Sequence, residues 1–572
     1  MIEGNTSIPL VIGITGHRNI SETTEEQIYD TSYAMLMDLK NRYPNTPIRV
    51  LSSLAAGADT ACAEAAIAAG TELVVPLPMP ADEYRKDFPG ISLARFDSLL
   101  ARATDVFVVP EYEKSEDPES RGFYYRQAGI YVTDHSHILF ACWDGKENPT
   151  PDGAGTFETV KLMRETPFFK TKDSVLDKNG GLVLQFVTPC ENETAPVDIY
   201  SLYLLDGSNP VLLMKPQLDL KEFSLTDEFN RDLVKYGSKI EYAMAESLDL
   251  CIDPDRQSKL SSDESTMLWI YAAADSLALF FQKKRLLALK LLAVMGLLFV
   301  LFFLFYDELS APLMLVGYGG LIVIAVACNL VFSRKRYHDK YVLYRVLSEA
   351  LRIQLFMDTA NIFDFSIHVP WWKRTEGLSF VNDTCRVLRK NVRAEFNNDS
   401  IDHLEENWID PQIIYHLGAI ARKGGKNKEN KKIARSLLFI AILFFVIVTV
   451  IEAAFPYIME IEMPNFFWII FPFVKGALTW NSLFKIILGA VSAAAAFVAN
   501  YYGKLALPEQ KRGSERMYKL YSQVKRNLIS AKEEGDLPAA KQSFISLADA
   551  AFEENLDWYA YYADNRPEFL IG

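Results

Sequence analysis

The sequence is poor in cysteine, and the few cysteines it has are not paired. Six cysteines are spread over 572 residues, and none of them stands in a C-x-x-C motif. Such pairs are the usual sign of a zinc site or a disulfide framework, so the spacing predicts reduced thiols on the cytoplasmic side of a membrane. His135 and His137 stand two residues apart, but no neighbouring cysteine or carboxylate cluster completes a ligand set. No metal site and no cofactor is therefore predicted.

Positive charge is also scarce. The chain carries 59 lysines and arginines against 73 aspartates and glutamates, which gives a formal net charge of -14. This balance argues against a polymeric nucleic acid as partner, because phosphate contacts along a polymer need a basic face, but it leaves the binding of one small nucleotide open. The amino terminus lacks a basic region followed by an apolar stretch and a cleavage site, so no signal peptide is expected.

Long apolar runs, in contrast, are abundant. Residues 285–336 contain two runs of about 20 apolar residues each, the length of a helix that crosses the hydrocarbon core, joined by the short segment 307–311. This pattern predicts a transmembrane helical hairpin; the alternative is a hairpin buried in a soluble core. Residues 436–455 and 483–501 predict a second hairpin. Residues 466–474 are too short to cross and are predicted to be interfacial or re-entrant, with a further crossing as the alternative.

The charges that flank these runs predict the topology. Basic clusters at 283–285, 333–340 and 422–432 lie at one end of the predicted helices, and the turns at the other end carry mainly acidic residues. The positive-inside rule therefore predicts four crossings of a cell membrane, with both termini in the cytoplasm. The predicted segments are 1–205 (amino-terminal soluble domain), 206–285 (helical connector), 286–333 (first hairpin), 334–434 (cytoplasmic helices), 435–502 (second hairpin) and 503–572 (C-terminal helices).

The amino-terminal segment alternates short apolar runs with helical patterns. Residues 8–15, 48–51, 72–76, 105–109 and 137–143 predict buried strands, and the helices between them predict a parallel sheet covered on both faces, a Rossmann-like α/β fold. Residues 182–187 and 199–205 predict further strands added at an edge of the sheet. In such sheets ligands bind outside the carboxyl ends of the strands.

Three polar, glycine-bearing loops follow predicted strands at that edge of the sheet: residues 15–19, 52–59 and 144–160. Small residues let backbone N–H groups approach a phosphate, and a helix N-terminus adds positive potential, so the three loops together predict a nucleotide pocket. Arg18 suits phosphate because its guanidinium is planar. Two residues have open alternatives: His17 contacts a ligand or hydrogen-bonds a strand end, and Asp59 binds a ligand or caps its own helix.

Two of these loops resemble loops of known families. Residues 52–66, SSLAAGADTACAEAA, resemble a serine- and glycine-bearing loop of DNA-processing protein A, and residues 151–158 resemble the PGGxGTxxE loop of lysine-decarboxylase-like cytokinin-activating proteins. Both families belong to the SLOG superfamily of Rossmann-like nucleotide binders. The resemblance implies a nucleotide site lined by Gly16, Arg18, Ser52, Ser53, Gly57, Asp59, Gly153, Gly155 and Thr156, with Asp144 and Glu158 beside them.

The sequence departs from the hydrolases of this superfamily at the catalytic position. Their glutamate comes three residues after the threonine of the GT pair, where this chain has Thr159, and its own glutamate, Glu158, comes one residue earlier. One residue rotates a helical side chain by about 100°. Because a general base must first reach its proton, this shift favours binding over hydrolysis. The alternative is a membrane-anchored nucleotide or NAD N-glycosidic hydrolase with Glu158, Asp144 or Asp59 as the base.

The membrane-flanking segments carry a second resemblance. The stretch 333–357, in which Arg345 and Glu349 can pair four residues apart, and the later stretch 408–416 resemble the cytoplasmic part of SLATT proteins, which are two-helix membrane effectors. The two resemblances imply an antiphage effector in which a cyclic nucleotide or an ADP-ribose derivative gates a pore or disrupts the lipid bilayer. Pore formation implies a homo-oligomer, and Asn329, Glu452 and Asn500 are polar candidates for its lining, or else interhelical hydrogen-bonding residues.

Overall fold

The computed structural model describes residues 7–113, 120–150, 152–165, 181–191, 196, 198–206, 209–218, 220–309, 312–390, 394–462 and 479–564. The chain forms two compact units, each assembled from separate stretches. The first unit comprises Met1–Leu277, Leu343–Asn407 and Ala531–Leu556, and the second comprises Ala278–Val342, Trp408–Ser530 and Asp557–Gly572. These units do not follow the linear division of the sequence, because helices from distant parts of the chain complete each of them.

The first unit contains a mixed sheet in which eight strands are described. Their order is β4-β3-β2-β1-β5-β6-β7-β8; strands β1 to β6 run parallel, and β7 and β8 are antiparallel additions. The predicted α/β class is confirmed, with a final hairpin that extends the sheet on one side. The strands are β1 (Leu10–Gly16), β2 (Ile48–Leu51), β3 (Glu72–Leu77), β4 (Asp105–Val108), β5 (Ile138–Trp143), β6 (Leu182–Val187), β7 (Leu202–Asp206) and β8 (Asn209–Leu213).

Helices connect the parallel strands and cover them. The strands are near-continuous apolar runs because both faces of a parallel sheet are buried; every residue of β5 is buried. Ser21 caps α1, since its Oγ accepts a hydrogen bond from the Thr24 backbone N–H at 3.2 Å. The helices are α1 (Glu22–Arg42), α2 (Ala58–Ala68), α3 (Ala81–Tyr84), α4 (Ile91–Arg102), α5 (Arg121–Asp134) and α6 (Thr156–Glu165).

Helices from later in the chain complete the first unit. Arg389 donates to the Asp134 carboxylate at 3.2 Å, and Tyr344 donates to Asp232 at 2.9 Å. The predicted pair of Arg345 and Glu349 forms. Such buried contacts explain why this unit extends well past residue 205. The helices in this part of the chain are α7 (Lys221–Cys251), α8 (Pro254–Gln257), α9 (Ser262–Leu309), α10 (Pro312–Lys335), α11 (Tyr337–Thr359), α12 (Glu376–Val387) and α13 (Asn398–Leu404). The second unit takes α9 after Leu277, all of α10, and α11 up to Val342.

The second unit is built from long apolar helices. Four helical stretches of the described chain are long and apolar enough to cross a membrane, and at most 11% of the most apolar window of each is buried. A Cβ on Gly296 would lie 2.4 Å from the Phe497 ring, and one on Gly489 would lie 2.6 Å from Leu304, so glycines bring helices of the two hairpins together. The later helices are α14 (Asp410–Ala454), α15 (Pro456–Met459), α16 (Trp480–Lys504), α17 (Leu507–Glu534) and α18 (Leu537–Asp564).

The two predicted hairpins therefore correspond to α9 with α10 and to α14 with α16. Helix α9 is continuous through residues 282–285, so the predicted connector runs into the first hairpin without a break. The run 466–474, predicted to be interfacial or re-entrant, lies outside the described residues.

Candidate functional site

The strand order reverses between β1 and β5, and this reversal creates the candidate site. The chain leaves β1 towards β2 and leaves β5 towards β6, on the other side of the sheet. Gly16, the last residue of β1, pairs with Cys142 near the end of β5. Loops that diverge from two adjacent parallel strands leave a crevice at their carboxyl ends, which is where open α/β sheets bind ligands.

Two glycines let the loops pack closely beside this crevice. A Cβ on Gly16 would lie 2.5 Å from the Ala58 Cβ and 2.8 Å from the Cys142 Cβ. Gly57 has a φ of +84°, and a Cβ there would lie 2.5 Å from the Arg18 backbone oxygen. The absence of side chains therefore allows the start of α2 to approach the end of β1.

His17 lies at the end of β1 and contacts the end of β5. Its Nε2 accepts a hydrogen bond from the Asp144 backbone N–H at 3.3 Å and lies 3.4 Å from the Asp144 carboxylate. Lys146 Nζ lies 3.2 Å from the other oxygen of that carboxylate. Two roles were open for His17, a ligand contact or a hydrogen bond to a strand end. The structure shows a hydrogen bond of the second kind, to Asp144 directly after β5. The Asp144 carboxylate is engaged by both neighbours.

Arg18 stands at the mouth of the crevice against an aromatic ring. Its guanidinium carbon lies 4.7 Å from the centre of the Tyr125 ring, a cation–π contact. The Tyr125 hydroxyl donates to Asp87, and Arg121 donates to Asp87 at 2.6 Å. Arg18 is exposed, and within the described residues no carboxylate forms an ion pair with it. Its guanidinium is thus held against the Tyr125 ring in the lining of the crevice, where it can contact an anion.

Asp59 is the buried acid of the site. It lies in the first turn of α2 and is 6% exposed. Burial raises the pKa of its carboxyl to about 7, and the positive charge of Arg18 opposes the shift. The Ser52 hydroxyl donates to the Asp59 backbone oxygen at 3.2 Å. Asp59 therefore changes charge near neutral pH, next to the arginine that faces the crevice.

Glu158 holds together the loop in front of α6. One carboxylate oxygen accepts from the Thr150 backbone N–H and from the Thr150 hydroxyl, at 3.2 Å for the latter, and the other accepts from the Gly155 N–H at 3.0 Å. Glu158 is the third residue of its helix, so the contact with Gly155 is one half of a capping box. Because both oxygens are used inside the loop, Glu158 is a structural acceptor in this arrangement.

These loops enclose a cavity of about 350 Å³, within the range of pockets for small ligands. Four of the residues predicted for the site do not line the cavity: Ser52, Gly57, Gly153 and Glu158. Glu158 stabilises the loop, and the Gly153 carbonyl accepts a hydrogen bond from Arg126. The predicted residues that do line it are Gly16, His17, Arg18, Ser53, Asp59, Asp144, Gly155 and Thr156.

Residues outside the predicted set also line the cavity. Tyr84 and Tyr125 form one wall, Trp143 and Phe157 form an apolar patch with ring centres 6.2 Å apart, and Thr159 lies near them. Thr159 Oγ1 donates to the Gly155 carbonyl at 3.1 Å. A glycine-bearing loop can be recognised in a sequence as a candidate ligand-binding loop, whereas isolated aromatic residues on α3 and α5 belong to no recognisable motif. The cavity thus combines aromatic surface, backbone N–H groups and one arginine.

Among the described residues, no group of three or more histidine, cysteine, aspartate or glutamate side chains is arranged to hold a metal ion. No protein-family profile matches the chain, and no curated protein matches it.

Proposed function

We propose that this protein is a membrane effector whose α/β domain binds a nucleotide-derived second messenger and thereby gates pore formation or membrane disruption in bacterial antiphage defence. The observation that carries the proposal is the cavity at the β1–β5 reversal, where Arg18 faces the opening and the start of α6 contributes Gly155 and Thr156. Aromatic surface suits a base, and an arginine with a helix start suits a phosphate. A cyclic nucleotide or an ADP-ribose derivative carries both groups.

The exposed apolar helices support the effector half of the proposal. Apolar faces that the protein itself leaves uncovered need lipid or another subunit as partner. A ligand that binds one arrangement of the α/β domain more tightly than another shifts the population towards it. Continuous helices such as α9 (Ser262–Leu309) carry the chain from the first unit into the second without an intervening loop. A pore would then form from several copies, because single hairpins of this kind have few polar residues to conduct ions.

Thermal stabilisation of the purified full-length chain in detergent tests this proposal. Cyclic oligonucleotides, NAD, ADP-ribose and cyclic ADP-ribose are the probes, since a ligand at 100 times its dissociation constant stabilises the bound state by about 2.7 kcal/mol. One ligand class should raise the melting temperature, and Arg18→Gln should abolish the shift. Arg102→Gln is the matched control, because Arg102 is exposed at the end of α4 and does not line the cavity. No shift with any probe, or equal loss in both variants, refutes the proposal.

One observation favours a second candidate, an N-glycosidic hydrolase. Asp59 lines the cavity with a pKa raised to about 7 by burial, and a group with a pKa near ambient pH suits general acid–base work. Turnover of NAD or nucleoside monophosphates that disappears in Asp59→Asn and persists in Glu158→Gln would establish this activity. Binding without turnover in the unchanged protein rules it out.

A further inference from the structure

One face of α14 carries a row of lysines and arginines. Lys428, Lys431, Lys432 and Arg435 are spaced by three, one and three residues, so their side chains lie within about a third of the helix circumference. All four are exposed. Throughout the described part of the chain, none of the four forms a hydrogen bond or an ion pair. The row, here called the basic stripe, is therefore free to bind an anion.

The opposite face of α14 packs inside the second unit. Its buried residues, Ala419, Asn430, Ala441 and Val448, recur at intervals of 11 and 7 residues, which keeps them on one side of the helix. Lys423 belongs to this side, and its Nζ donates to the Ser514 hydroxyl at 3.1 Å. The inward-facing cation is thus engaged within the unit, whereas the four cations of the basic stripe point away from the packed face.

The basic stripe continues as apolar surface along the same face. Phe439 is 65% exposed, Ile442 54%, Leu443 48%, Val446 49% and Val450 59%. These positions follow the stripe at helical spacing and lie within the membrane-crossing part of α14. Cations followed at once by exposed apolar side chains match the order of groups in a phospholipid, with an anionic headgroup above acyl chains.

We propose that the basic stripe of α14 is a binding site for an anionic phospholipid, whose phosphate contacts Lys431, Lys432 and Arg435 and whose acyl chains lie along Phe439. A groove of about 700 Å³ lined by these residues, with Lys428, Ser436 and Ile440, follows this face. Orientation of the helix in the membrane requires positive charge at this end but on no particular face. The concentration of unpaired cations on the face that becomes lipid-exposed is what indicates a specific headgroup contact.

Lipid titration of the full-length chain, monitored by native mass spectrometry from a neutral detergent, tests the proposal. Phosphatidylglycerol should bind about tenfold more tightly than phosphatidylcholine, since each basic residue near a membrane surface contributes on the order of 1 kcal/mol. Lys431→Gln with Lys432→Gln should remove most of that preference. Glycerol 3-phosphate, which has the headgroup charge but no acyl chain, should not compete at the same concentration. A salt concentration of about 1 M, where the Debye length is about 3 Å, should weaken the preference.

The matched control is the double variant Arg422→Gln with Lys426→Gln. It removes the same charge from the same helix, but both side chains lie outside the basic stripe. Retention of the phosphatidylglycerol preference in this control, together with its loss in the first pair, supports the site. Three results overturn it: equal affinity for the two lipids in the unchanged protein, equal loss in both pairs, or a fall in subunit number without a lipid preference, which would assign this face to a second copy of the chain.

Discussion

The sheet of the first unit and the transmembrane helices of the second use apolar residues in opposite ways. In β5 every side chain is buried, and Phe140 is 0% exposed. In α14 the apolar window is 11% buried, and Phe439 is 65% exposed. Because the hydrophobic effect depends on the area removed from water, the sheet derives stability from its own packing, whereas the helices derive it from lipid. The same residue type therefore predicts different mutational costs in the two regions.

The largest expected effect contrasts two phenylalanines. Phe140→Ala should destabilise the first unit by about 3–5 kcal/mol, because it leaves a cavity in a close-packed core. Phe439→Ala should change stability by well under half of that, because no protein side chain closes over Phe439. Thermal unfolding and limited proteolysis of the detergent-solubilised chain measure both. Similar losses in the two variants would show that the exposed face of α14 is in fact covered in the assembled protein.

An inserted charge should cost more on the exposed face of α14 than on an equally exposed position of the sheet. Leu443→Arg places a guanidinium in the apolar span and should cost about 3 kcal/mol of membrane insertion. Leu212→Arg is the control, since Leu212 on strand β8 is 51% exposed and Leu443 is 48% exposed. The control should remain stable and membrane-bound. Fractionation of cell membranes provides the measurement, and full insertion of Leu443→Arg would mean that this face does not contact lipid.

A smaller effect compares two glycines. Gly57→Ala should destabilise the first unit by about 2 kcal/mol, because its φ of +84° is strained for other residues and the new Cβ would meet the Arg18 oxygen at 2.5 Å. Gly319→Ala, on α10, should be neutral or stabilising, since a Cβ there meets nothing within 4 Å and alanine favours helix. The melting temperatures of both variants test this prediction. An unchanged melting temperature for Gly57→Ala would mean that the loop relaxes to accept the new Cβ.

The smallest effect concerns pH and only the first unit. Asp59 is neutral well below its pKa of about 7 and becomes negative above it. A new negative charge beside Arg18 weakens the binding of an anionic ligand. The affinity for such a ligand should therefore fall about tenfold, or 1.4 kcal/mol, as the pH rises from 6 to 8. Asp59→Asn should remove most of this dependence. Isothermal titration with the ligand identified by thermal shift tests it, and an affinity that rises with pH would contradict the assigned role of Asp59.

The sequence predicted the fold where patterns are local. Short apolar runs followed by polar, glycine-bearing loops indicated β1, β2 and β5, and the apolar runs of α9 and α14 were long enough to specify their environment. Strand β8 was missed because Asn209–Leu213 is short and contains a proline. The composition of the units was beyond reach for a different reason: Arg389 and Asp134 lie 255 residues apart, and nothing local marks them as partners.

The same distinction holds for the candidate site. Loops with glycine and serine identified the crevice, since their backbone requirements are visible in the sequence. Tyr125 was missed because its role depends on Arg18 and Asp87, which belong to other elements. The contact between Glu158 and Gly155 does have a local signal, because a glutamate at the third position of a helix commonly accepts a hydrogen bond from the backbone N–H of the residue that precedes the helix.

The contacts of Glu158 also bear on the speed of ligand capture. Thr150 and Gly155 are fixed by this carboxylate through bonds inside the chain, so the entropy of ordering the loop belongs to folding and not to association. An incoming molecule then meets a loop that is already ordered. Association without rearrangement commonly proceeds at about 10⁵–10⁷ M⁻¹s⁻¹. The rate at which such a preordered crevice fills is then set by the concentration of the molecule that binds it.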